Sequence, residues 1–325
     1  MSQPITYLDA ISEGLREEMQ KDKSIFLLGE DIGAYGGAFK VTKGFVEEFG
    51  EDRVIDTVLA EAAIVGAAMG AAIVGMKPVA EMQFADFVAN AFNQIVNNVS
   101  KFHYRTGLPV PMVIRLPAGG GVRGGPFHSV NPESWFMNVP GLKIVAPSTP
   151  HDAKGLIKAA IRDPNPVLYL EHKYLYRHLK AEIPSDDYVV PIGKADIKRE
   201  GSDITVITYH AGVQWALEAS NILSQDGIEV EIVDLRTLLP LDNETILSSV
   251  KKTGKVLILH EATLTGGIGG EIAAIISENA FEYLDAPIKR VASIDTPVPY
   301  APPLEDYFLP NTQKVLEALR KLVMY

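Results

Sequence analysis

Hydrophobic and polar positions near the start of the chain follow first a helical and then a strand-like pattern. Thr6 followed by Asp9 forms a variant capping box, which predicts the start of a helix. The apolar side chains after it share one helical stripe: Leu8, Ile11, Leu15 and Met19. The run 24–29 (SIFLLG) is instead continuously apolar, which predicts a buried parallel strand. Glu30 and Asp31 follow it directly, and polar residues at such strand ends commonly face ligands.

Strand-like and helical segments continue to alternate through the first half of the chain. The stretch 62–75 is rich in alanine and glycine but long enough for a helix. Small side chains let its backbone approach another element closely, so we expect it to be buried, with a subunit interface as one possible setting. Further strands are predicted at 79–84, 111–116, 142–146 and 167–171, and helices at 85–104, 132–137 and 152–162. This alternation favours an α/β domain with a mainly parallel sheet.

The pattern turns polar over 177–203, and a second alternating cycle follows. A chain of 325 residues exceeds the usual size of one hydrophobic core, so two domains are expected. We place the first domain at 1–185, a linker at 186–202 and the second domain at 203–325. In the second domain, strands are predicted at 204–209, 230–235, 256–260 and 288–294, and helices at 212–223, 243–251 and 270–280. The second domain is therefore predicted to be a smaller α/β sandwich.

Composition and charge argue against several classes of function. The chain has no cysteine, which removes disulfides, thiolate metal sites and cysteine nucleophiles. Its net charge of −11 repels phosphate backbones, so we expect no nucleic acid partner and favour a basic protein surface instead. No apolar stretch is long enough to span a membrane, and the N-terminus lacks the pattern of an export or import signal. We expect a cytoplasmic protein.

A carboxylate stands directly before the alanine- and glycine-rich helix, in the segment 56–61 (DTVLAE). One interpretation is that Glu61 complements the positive end of the helix, which is worth about 0.3–1 kcal/mol. The other is a carboxyl group in a site of low dielectric, where a raised proton affinity lets it share a proton with a bound heterocycle. The pattern of residues alone leaves both interpretations open.

The segment around Glu61 is the first of several motifs that run through the chain. It is followed by EMQFADF, HSVNPESWF, PGLKIVAPSTPHDAKGL, VDLRTLLPLD, KTGKVLILHEA and DAPIKRVASIDTPVPYAP. In this order the motifs resemble the beta subunits of thiamine-diphosphate-dependent 2-oxo acid dehydrogenases, and the likeness covers nearly the whole chain. The resemblance implies an α/β fold with a transketolase-like pyrimidine-binding domain, mainly parallel in its sheet, and a transketolase C-terminal-like α/β domain.

The resemblance assigns cofactor contacts to five residues. Glu61 would hydrogen-bond a ring nitrogen of the aminopyrimidine of thiamine diphosphate and so favour loss of the thiazolium carbon proton. Phe87 would pack on the pyrimidine face, and the Leu59 carbonyl would accept from the exocyclic amine. Gln83 would lie near the cofactor and substrate channel, and Glu30 in a water-linked path toward the two cofactors. Apart from the resemblance, Phe87 fits a core position and Glu30 a solvated strand end equally well.

A glycine-rich loop at 118–125 leads to His128. Histidine titrates near neutrality, which suits proton transfer or charge stabilisation at an oxo acid, although loop histidines are also commonly solvated. The resemblance implies that His128 is the family's active-site histidine. The chain departs from many relatives at Arg123, where they carry another histidine, so the contacts of this loop with the substrate carboxylate or the acyltransferase stay open.

Two further segments resemble ligand sites. Ala160, Asp163 and Asn165 match a potassium-binding turn of the branched-chain members, where backbone and side-chain oxygens hold a hard cation, although any Asp-Pro-Asn turn is similar. The segment 265–270 (TGGIGG) resembles a dinucleotide loop. It lacks the strand-turn placement and an acidic residue about 20 positions further on, so we expect no nicotinamide cofactor.

Partners are implied by what the chain lacks. The family's Gly-Asp-Gly motif for diphosphate and magnesium is absent, so this chain cannot complete a cofactor site. The resemblance implies that an alpha subunit supplies the magnesium site, with active sites at the interfaces of an alpha2beta2 heterotetramer. It also implies docking of a basic domain of the lipoyl-acyltransferase core, for which Asp295 and the C-terminal Tyr325 are candidate contacts.

The expected substrate depends on short motifs that differ between the branched-chain and pyruvate members of the family. KYLYR, DAPIKR, VPYAP and ALRKLVMY look nearer to branched-chain than to pyruvate members. We therefore expect oxidative decarboxylation of a branched-chain 2-oxo acid and transfer of the acyl group to lipoyl-acyltransferase. A pyruvate or acetoin dehydrogenase is the near alternative. Transketolase and deoxyxylulose-phosphate synthase are more distant because they carry a further diphosphate-binding domain, and a noncatalytic assembly module is the alternative from another class.

Overall fold

The strands of the computed structural model, which describes residues 4–325, belong to three sheets. The strands are β1 (Ile5–Thr6), β2 (Ile25–Gly29), β3 (Val54–Asp56), β4 (Lys77–Glu81), β5 (Val113–Ala118), β6 (Lys143–Val145), β7 (Val167–His172), β8 (Lys180–Ala181), β9 (Asp196–Arg199), β10 (Ile204–Thr208), β11 (Val230–Asp234), β12 (Thr237–Leu239), β13 (Val256–Thr263) and β14 (Lys289–Ser293). Most of them are separated by helices, as the alternating pattern predicts.

The helices cover the sheets and connect their strands. They are α1 (Tyr7–Lys21), α2 (Phe45–Phe49), α3 (Glu61–Ile73), α4 (Ser100–Thr106), α5 (Glu133–Phe136), α6 (Pro150–Arg162), α7 (Leu175–His178), α8 (Ala211–Leu223), α9 (Asn243–Thr253), α10 (Gly269–Ala280), α11 (Pro302–Phe308) and α12 (Thr312–Val323). Within residues 4–325, no helix has the length and apolar character needed to cross a membrane.

Two main sheets form the layers of the molecule. The seven-stranded sheet has the order β12-β6-β7-β5-β4-β2-β3, and its strands are parallel except for β12. The five-stranded sheet has the order β14-β13-β10-β11-β9 and is parallel except for β9. A small antiparallel pair joins β1 to β8. The predicted α/β fold with mainly parallel sheets is confirmed.

Edge strands interlock the two halves of the chain. In sequence, strand β12 comes after β9, β10 and β11 of the five-stranded sheet. It nevertheless pairs with β6 at the edge of the seven-stranded sheet. Strand β9 lies inside the segment proposed as the linker, 186–202, and pairs with β11. The proposed linker thus contains an edge strand, and a strand of the proposed second domain completes the first sheet.

Helix α1 begins at the capping box that the sequence predicts. Thr6 Oγ1 accepts from the backbone N–H of Asp9 at 3.0 Å and donates to Asp9 Oδ2 at 2.6 Å. The apolar stripe after it is buried on α6 and the first sheet: Leu8, Ile11, Leu15 and Met19. A Cβ on Gly14 would lie 2.6 Å from Ile157 Cγ2 on α6, so the two helices approach closely only because glycine stands there.

The segment predicted as one helix at 85–104 is wound in three ways. It forms a 3₁₀ helix at Ala85–Ala91, a π-helical stretch at Gln94–Val99 and then α4. The buried apolar side chains of the first two stretches are spaced as in an ordinary helix: Val88, Ala91, Ile95 and Val99. Spacings of three and four residues are also those of an ordinary α-helix, so the pattern predicts a helix here without revealing how it is wound.

Helix α3 is buried on one face only within this chain, so its expected burial at a subunit interface stays a prediction. One face packs into the core through Ile64, Val65, Ala68 and Ala72, but Ala62, Ala63, Ala67 and Gly70 are exposed. A Cβ on Gly66 or Gly70 would meet no atom within 4 Å apart from the neighbouring backbone of the helix itself. Within residues 4–325, nothing covers the small-residue face, so its small side chains are not explained by packing inside the subunit.

Candidate functional site

The predicted cofactor residues meet at one edge of the seven-stranded sheet. Gly29, the last residue of β2, lies opposite Asp56 of β3 and Glu81 of β4. Because these strands are parallel, the chain leaves all three at the same edge. Glu30, Gln83 and the segment that leads into Glu61 therefore converge there, which agrees with the placement of ligands at the carboxyl ends of parallel strands.

Two buried carboxyl groups lie at this edge. Glu61 is the first residue of α3, is 5% exposed, and accepts from Asn90 Nδ2 at 3.2 Å. Glu30 is 6% exposed, and its Oε1 atom is buried without a hydrogen-bond partner within residues 4–325. Burial raises the pKa of Glu30, and the nearby charges of Glu61 and Asp31 raise it further. Burial and the neighbouring carboxylates thus make the charged form of Glu30 less favourable.

An aromatic cluster adjoins Glu61, since Phe87 lies on the same 3₁₀ helix as Asn90, which donates to Glu61. The rings of Phe84 and His128 meet edge to face with centroids 4.4 Å apart, and Phe87 lies 5.6 Å from His128 and 5.7 Å from Phe84. Phe87 and His128, predicted from separate motifs, are thus brought together by the fold. Phe84 was missed by the sequence prediction, although it lies in the same EMQFADF motif as Phe87.

The other two predicted cofactor contacts differ in exposure. Gln83 Nε2 donates to Asp31 Oδ2 at 3.2 Å, which fixes its side chain beside the end of β2. The side chains of Val58 and Leu59 are 79% and 77% exposed, directly before Glu61. Both apolar side chains are therefore open to solvent in this chain.

The histidine lies in the second half of a loop, residues 119–131, which we call the His128 loop. Arg123 within it has a positive φ of 61° and turns its guanidinium to α11. There Arg123 Nη1 lies 2.7 Å from Glu305 Oε2, 2.8 Å from Asp306 Oδ1 and 3.0 Å from the Pro302 carbonyl. The side chain of Arg123 is therefore engaged inside the chain.

A buried ion network underlies the site and was not predicted from the sequence. Arg115, on the central strand β5, is 1% exposed. Its guanidinium donates to both carboxylate oxygens of Glu171, at 2.5 and 2.8 Å, and also binds Glu81. Tyr176 donates to Glu171 at 2.6 Å. The network ties the ends of β4, β5 and β7 together just below the residues that line the site.

Lys173 is a second unpredicted group and lies under the aromatic cluster. It is 4% exposed, its Nζ donates to the Pro117 carbonyl at 3.2 Å, and it lies 6.0 Å from the centre of the Phe84 ring. Burial lowers the pKa of Lys173 to about 8, although the charges of Asp86, Glu261 and Glu305 oppose the shift. The protein thus carries a buried amine with a lowered proton affinity near the Phe84 ring, which itself contacts His128.

We expect the Lys173→Met substitution to raise the free energy of unfolding more at pH 7 than at pH 10. Between about pH 8 and 10.5 the unfolded chain binds more protons at this lysine than the folded chain, so the lysine side chain becomes less unfavourable as pH rises. The difference is at most about 3 kcal/mol. Urea unfolding at both pH values measures it, with the exposed Lys43→Met as control. Equal effects of Lys173→Met at the two pH values would contradict the prediction.

The proposed potassium turn is occupied by an internal ion pair. Asp163 binds Lys143 Nζ at 2.5 Å and accepts from the Asn165 backbone at 2.9 Å, and the Ala160 carbonyl accepts from the Asp163 N–H at 3.3 Å. Asn165 Oδ1 is buried without a partner among residues 4–325. Nowhere in residues 4–325 is a group of three or more His, Cys, Asp or Glu side chains placed to hold a metal ion.

The two candidate partner contacts lie on the surface of the second half of the chain. Asp295 is exposed and accepts from the backbone and hydroxyl of Thr265 at 2.9 and 2.6 Å. Tyr325, the last residue, is 64% exposed. Both are accessible in this chain.

Comparison with known proteins agrees with the resemblance seen in the sequence. Family models for the transketolase pyrimidine-binding domain and the transketolase C-terminal domain match residues 3–178 and 193–315. The 2-oxoisovalerate dehydrogenase subunit beta of Bacillus subtilis (strain 168) is 55% identical over 324 residues, covering 99% of each chain. The pyruvate dehydrogenase E1 component subunit beta of Staphylococcus epidermidis is 44% identical over 315 residues, covering 96% of this chain and 97% of that one.

A solved structure gives the fold independently. A split gene transketolase, described as an inactive beta4 tetramer, superposes with a TM-score of 0.81 and covers 99% of both chains at 24% identity. At that identity the likeness concerns the fold alone. The family models and the full-length relatives together show that the chain belongs to the family of 2-oxo acid dehydrogenase beta subunits, built from the transketolase pyrimidine-binding and C-terminal domains.

Proposed function

We propose that the chain acts in a branched-chain 2-oxo acid dehydrogenase that uses thiamine diphosphate and passes the acyl group to lipoyl-acyltransferase. The observation that carries the proposal is the buried pair Glu61 and Glu30, which is linked to the Phe87 and His128 cluster because Asn90, on the same 3₁₀ helix as Phe87, donates to Glu61. The chain is 55% identical to a 2-oxoisovalerate dehydrogenase subunit and 44% identical to a pyruvate dehydrogenase subunit. The higher identity supports a branched-chain substrate over pyruvate.

The residues present fit thiamine diphosphate. Glu30 Oε1 is a buried acceptor without a partner in the described chain, and Glu61 is a carboxyl group at a helix start beside it. When bound, the cofactor supplies a thiazolium carbon that adds to a 2-oxo group and accepts the electron pair left by carbon dioxide. Glu61 would hold a proton at a pyrimidine nitrogen, and the Leu59 carbonyl would accept from the exocyclic amine.

The remaining site residues orient the substrate and move protons. Phe87 would pack on the pyrimidine, since an aromatic face fixes the tilt of a second ring. Gln83 would contribute to the substrate channel, and Glu30 would lie in a water-linked path toward the two cofactors. His128 would give a proton to the oxo group or stabilise its charge, with the surrounding rings limiting access of water.

An alpha subunit would complete the site in an alpha2beta2 heterotetramer. Support comes from the exposed Val58 and Leu59 and from the open small-residue face of α3, which need a covering surface beside Glu61. The alpha subunit would bind the diphosphate and its magnesium ion. Potassium at Ala160, Asp163 and Asn165, acyltransferase docking at Asp295 and Tyr325, the domain limits and a cytoplasmic location stay part of the proposal.

The substrate is tested with the assembled enzyme. The chain is purified with its alpha subunit, and dye reduction is compared for 2-oxoisovalerate, pyruvate and acetoin. We expect kcat/KM for 2-oxoisovalerate to exceed that for pyruvate by about 10-fold or more, because additional methyl groups in an apolar pocket are worth roughly that much. A preference for pyruvate or acetoin would contradict the branched-chain assignment, and no turnover with any of them would favour a noncatalytic assembly module.

A further inference from the structure

We propose that the C-terminal half of the chain positions His128, through a clamp in which Glu261 and Glu305 hold the His128 loop. The roles given to His128 rest on the proposed function, whereas the clamp itself is a property of this chain. Glu261 lies on β13 and Glu305 on α11, both outside the pyrimidine-binding region that carries the other site residues.

Glu261 joins the two ends of the loop through a single oxygen atom. Glu261 Oε1 accepts from the backbone N–H of Gly120 at 2.6 Å and from Asn131 Nδ2 at 3.0 Å. Gly120 lies near the start of the loop and Asn131 at its end, so the shared acceptor closes the loop at its base. His128 lies inside the closed segment, and its place depends on this closure.

The other oxygen of Glu261 anchors the clamp to the first sheet. Glu261 Oε2 lies 2.7 Å from Nε2 of His172, the last residue of β7, and both side chains are buried. Although burial opposes the charge, His172 and the donors from Gly120 and Asn131 hold the pKa of Glu261 to about 2. The acceptor is therefore an anion throughout the range in which an enzyme works, and charged acceptors form the stronger hydrogen bonds.

Glu305 holds the first part of the loop. Its side chain is fully buried, Oε1 accepts from the Gly121 N–H at 3.0 Å, and Oε2 binds Arg123 at 2.7 Å. From the first half of the chain, Asp86 accepts from the Val130 N–H at 3.2 Å. Carboxylates of the second half thus hold the loop at Gly120, Gly121, Arg123 and Asn131.

The backbone of the loop needs such support. Gly119, Gly121 and Gly125 have positive φ angles, and so does Arg123, for which this conformation is strained. A glycine-rich segment has many alternative conformations, so fixing one of them requires contacts from outside. Because a misplacement of about 1 Å can cost roughly 100-fold in rate, a loose loop would impair catalysis even with His128 intact.

The test uses trypsin on the assembled complex, because Arg123 places a cleavage site inside the loop. We expect Glu261→Ala to accelerate cleavage after Arg123, measured by the mass of the released fragments, and to lower kcat by about 10- to 100-fold with a smaller change in KM. Asn131→Ala removes one arm of the clamp but leaves the Glu261 and His172 pair, so it should accelerate cleavage without lowering the melting temperature. Glu261→Gln keeps an oxygen acceptor and should protect better than Glu261→Ala.

Glu229→Gln is the matched control, since Glu229 is an exposed carboxylate of the second half that binds Arg199 and does not contact the loop. It should leave both cleavage and kcat unchanged. The clamp is refuted if Asn131→Ala and a folded Glu261→Ala protein resist trypsin as well as the unsubstituted protein. Because the protease assay needs no substrate, failure of the clamp remains distinct from failure of the proposed reaction, which would instead appear as no turnover by the unsubstituted complex.

Discussion

The Glu61→Gln substitution is expected to lower decarboxylation by the assembled enzyme on the order of 10²- to 10⁴-fold. Glutamine keeps the size of the side chain and its contact with Asn90, but it cannot ionise or exchange a proton with the pyrimidine of thiamine diphosphate. Deuterium exchange at the thiazolium carbon should fall in parallel. Binding of the alpha subunit should persist, since Glu61 is buried behind the exposed residues that would contact it.

The control for this substitution is Glu47→Gln, on the exposed side of α2. It changes the charge equally but lies outside the site, so it should leave decarboxylation and exchange as they were. Retention of full exchange in the Glu61→Gln complex would refute the proton-sharing role. If assembly persisted while the unsubstituted complex showed no exchange either, the chain would be an assembly module.

Much of the fold could be predicted from local patterns. Continuous apolar runs such as 24–29 identify buried parallel strands, and the Thr6 capping box marks the start of α1. The parallel arrangement then places Glu30, Glu61 and Gln83 at one edge without further information. Motif spacing alone did not show that Phe87 and His128 form one cluster, because their contact depends on how the His128 loop folds back.

What could not be predicted depends on partners distant in sequence. Arg115 contacts Glu81 and Glu171, 34 and 56 residues away, and within the strand PMVIRL it simply interrupts an apolar run. Glu261 contacts Gly120 at a separation of 141 residues. Strand β12 pairs across the proposed domain boundary, which no local pattern indicates. Such contacts are decided by the tertiary arrangement and not by periodicity.

The Arg115→Met substitution should destabilise the protein strongly, with a loss of about 3–5 kcal/mol in the free energy of unfolding. Methionine fills much of the volume of the arginine side chain but leaves the buried carboxylates Glu81 and Glu171 without their cation. Each of these carboxylates would then be an uncompensated charge in the core, which is costly to bury.

Urea unfolding measures the loss, and Arg16→Met is the control. Arg16 pairs with Glu48 at the surface, where both side chains are about one-third exposed and an ion pair is worth about 0–1 kcal/mol. Replacing Glu81 and Glu171 by glutamine in the Arg115→Met protein should recover part of the loss, since neutral amides are less costly to bury than unpaired charges. Similar losses for Arg115→Met and Arg16→Met would mean that the network contributes no more than a surface pair. The ends of β4, β5 and β7 would then be held below the site by apolar packing alone.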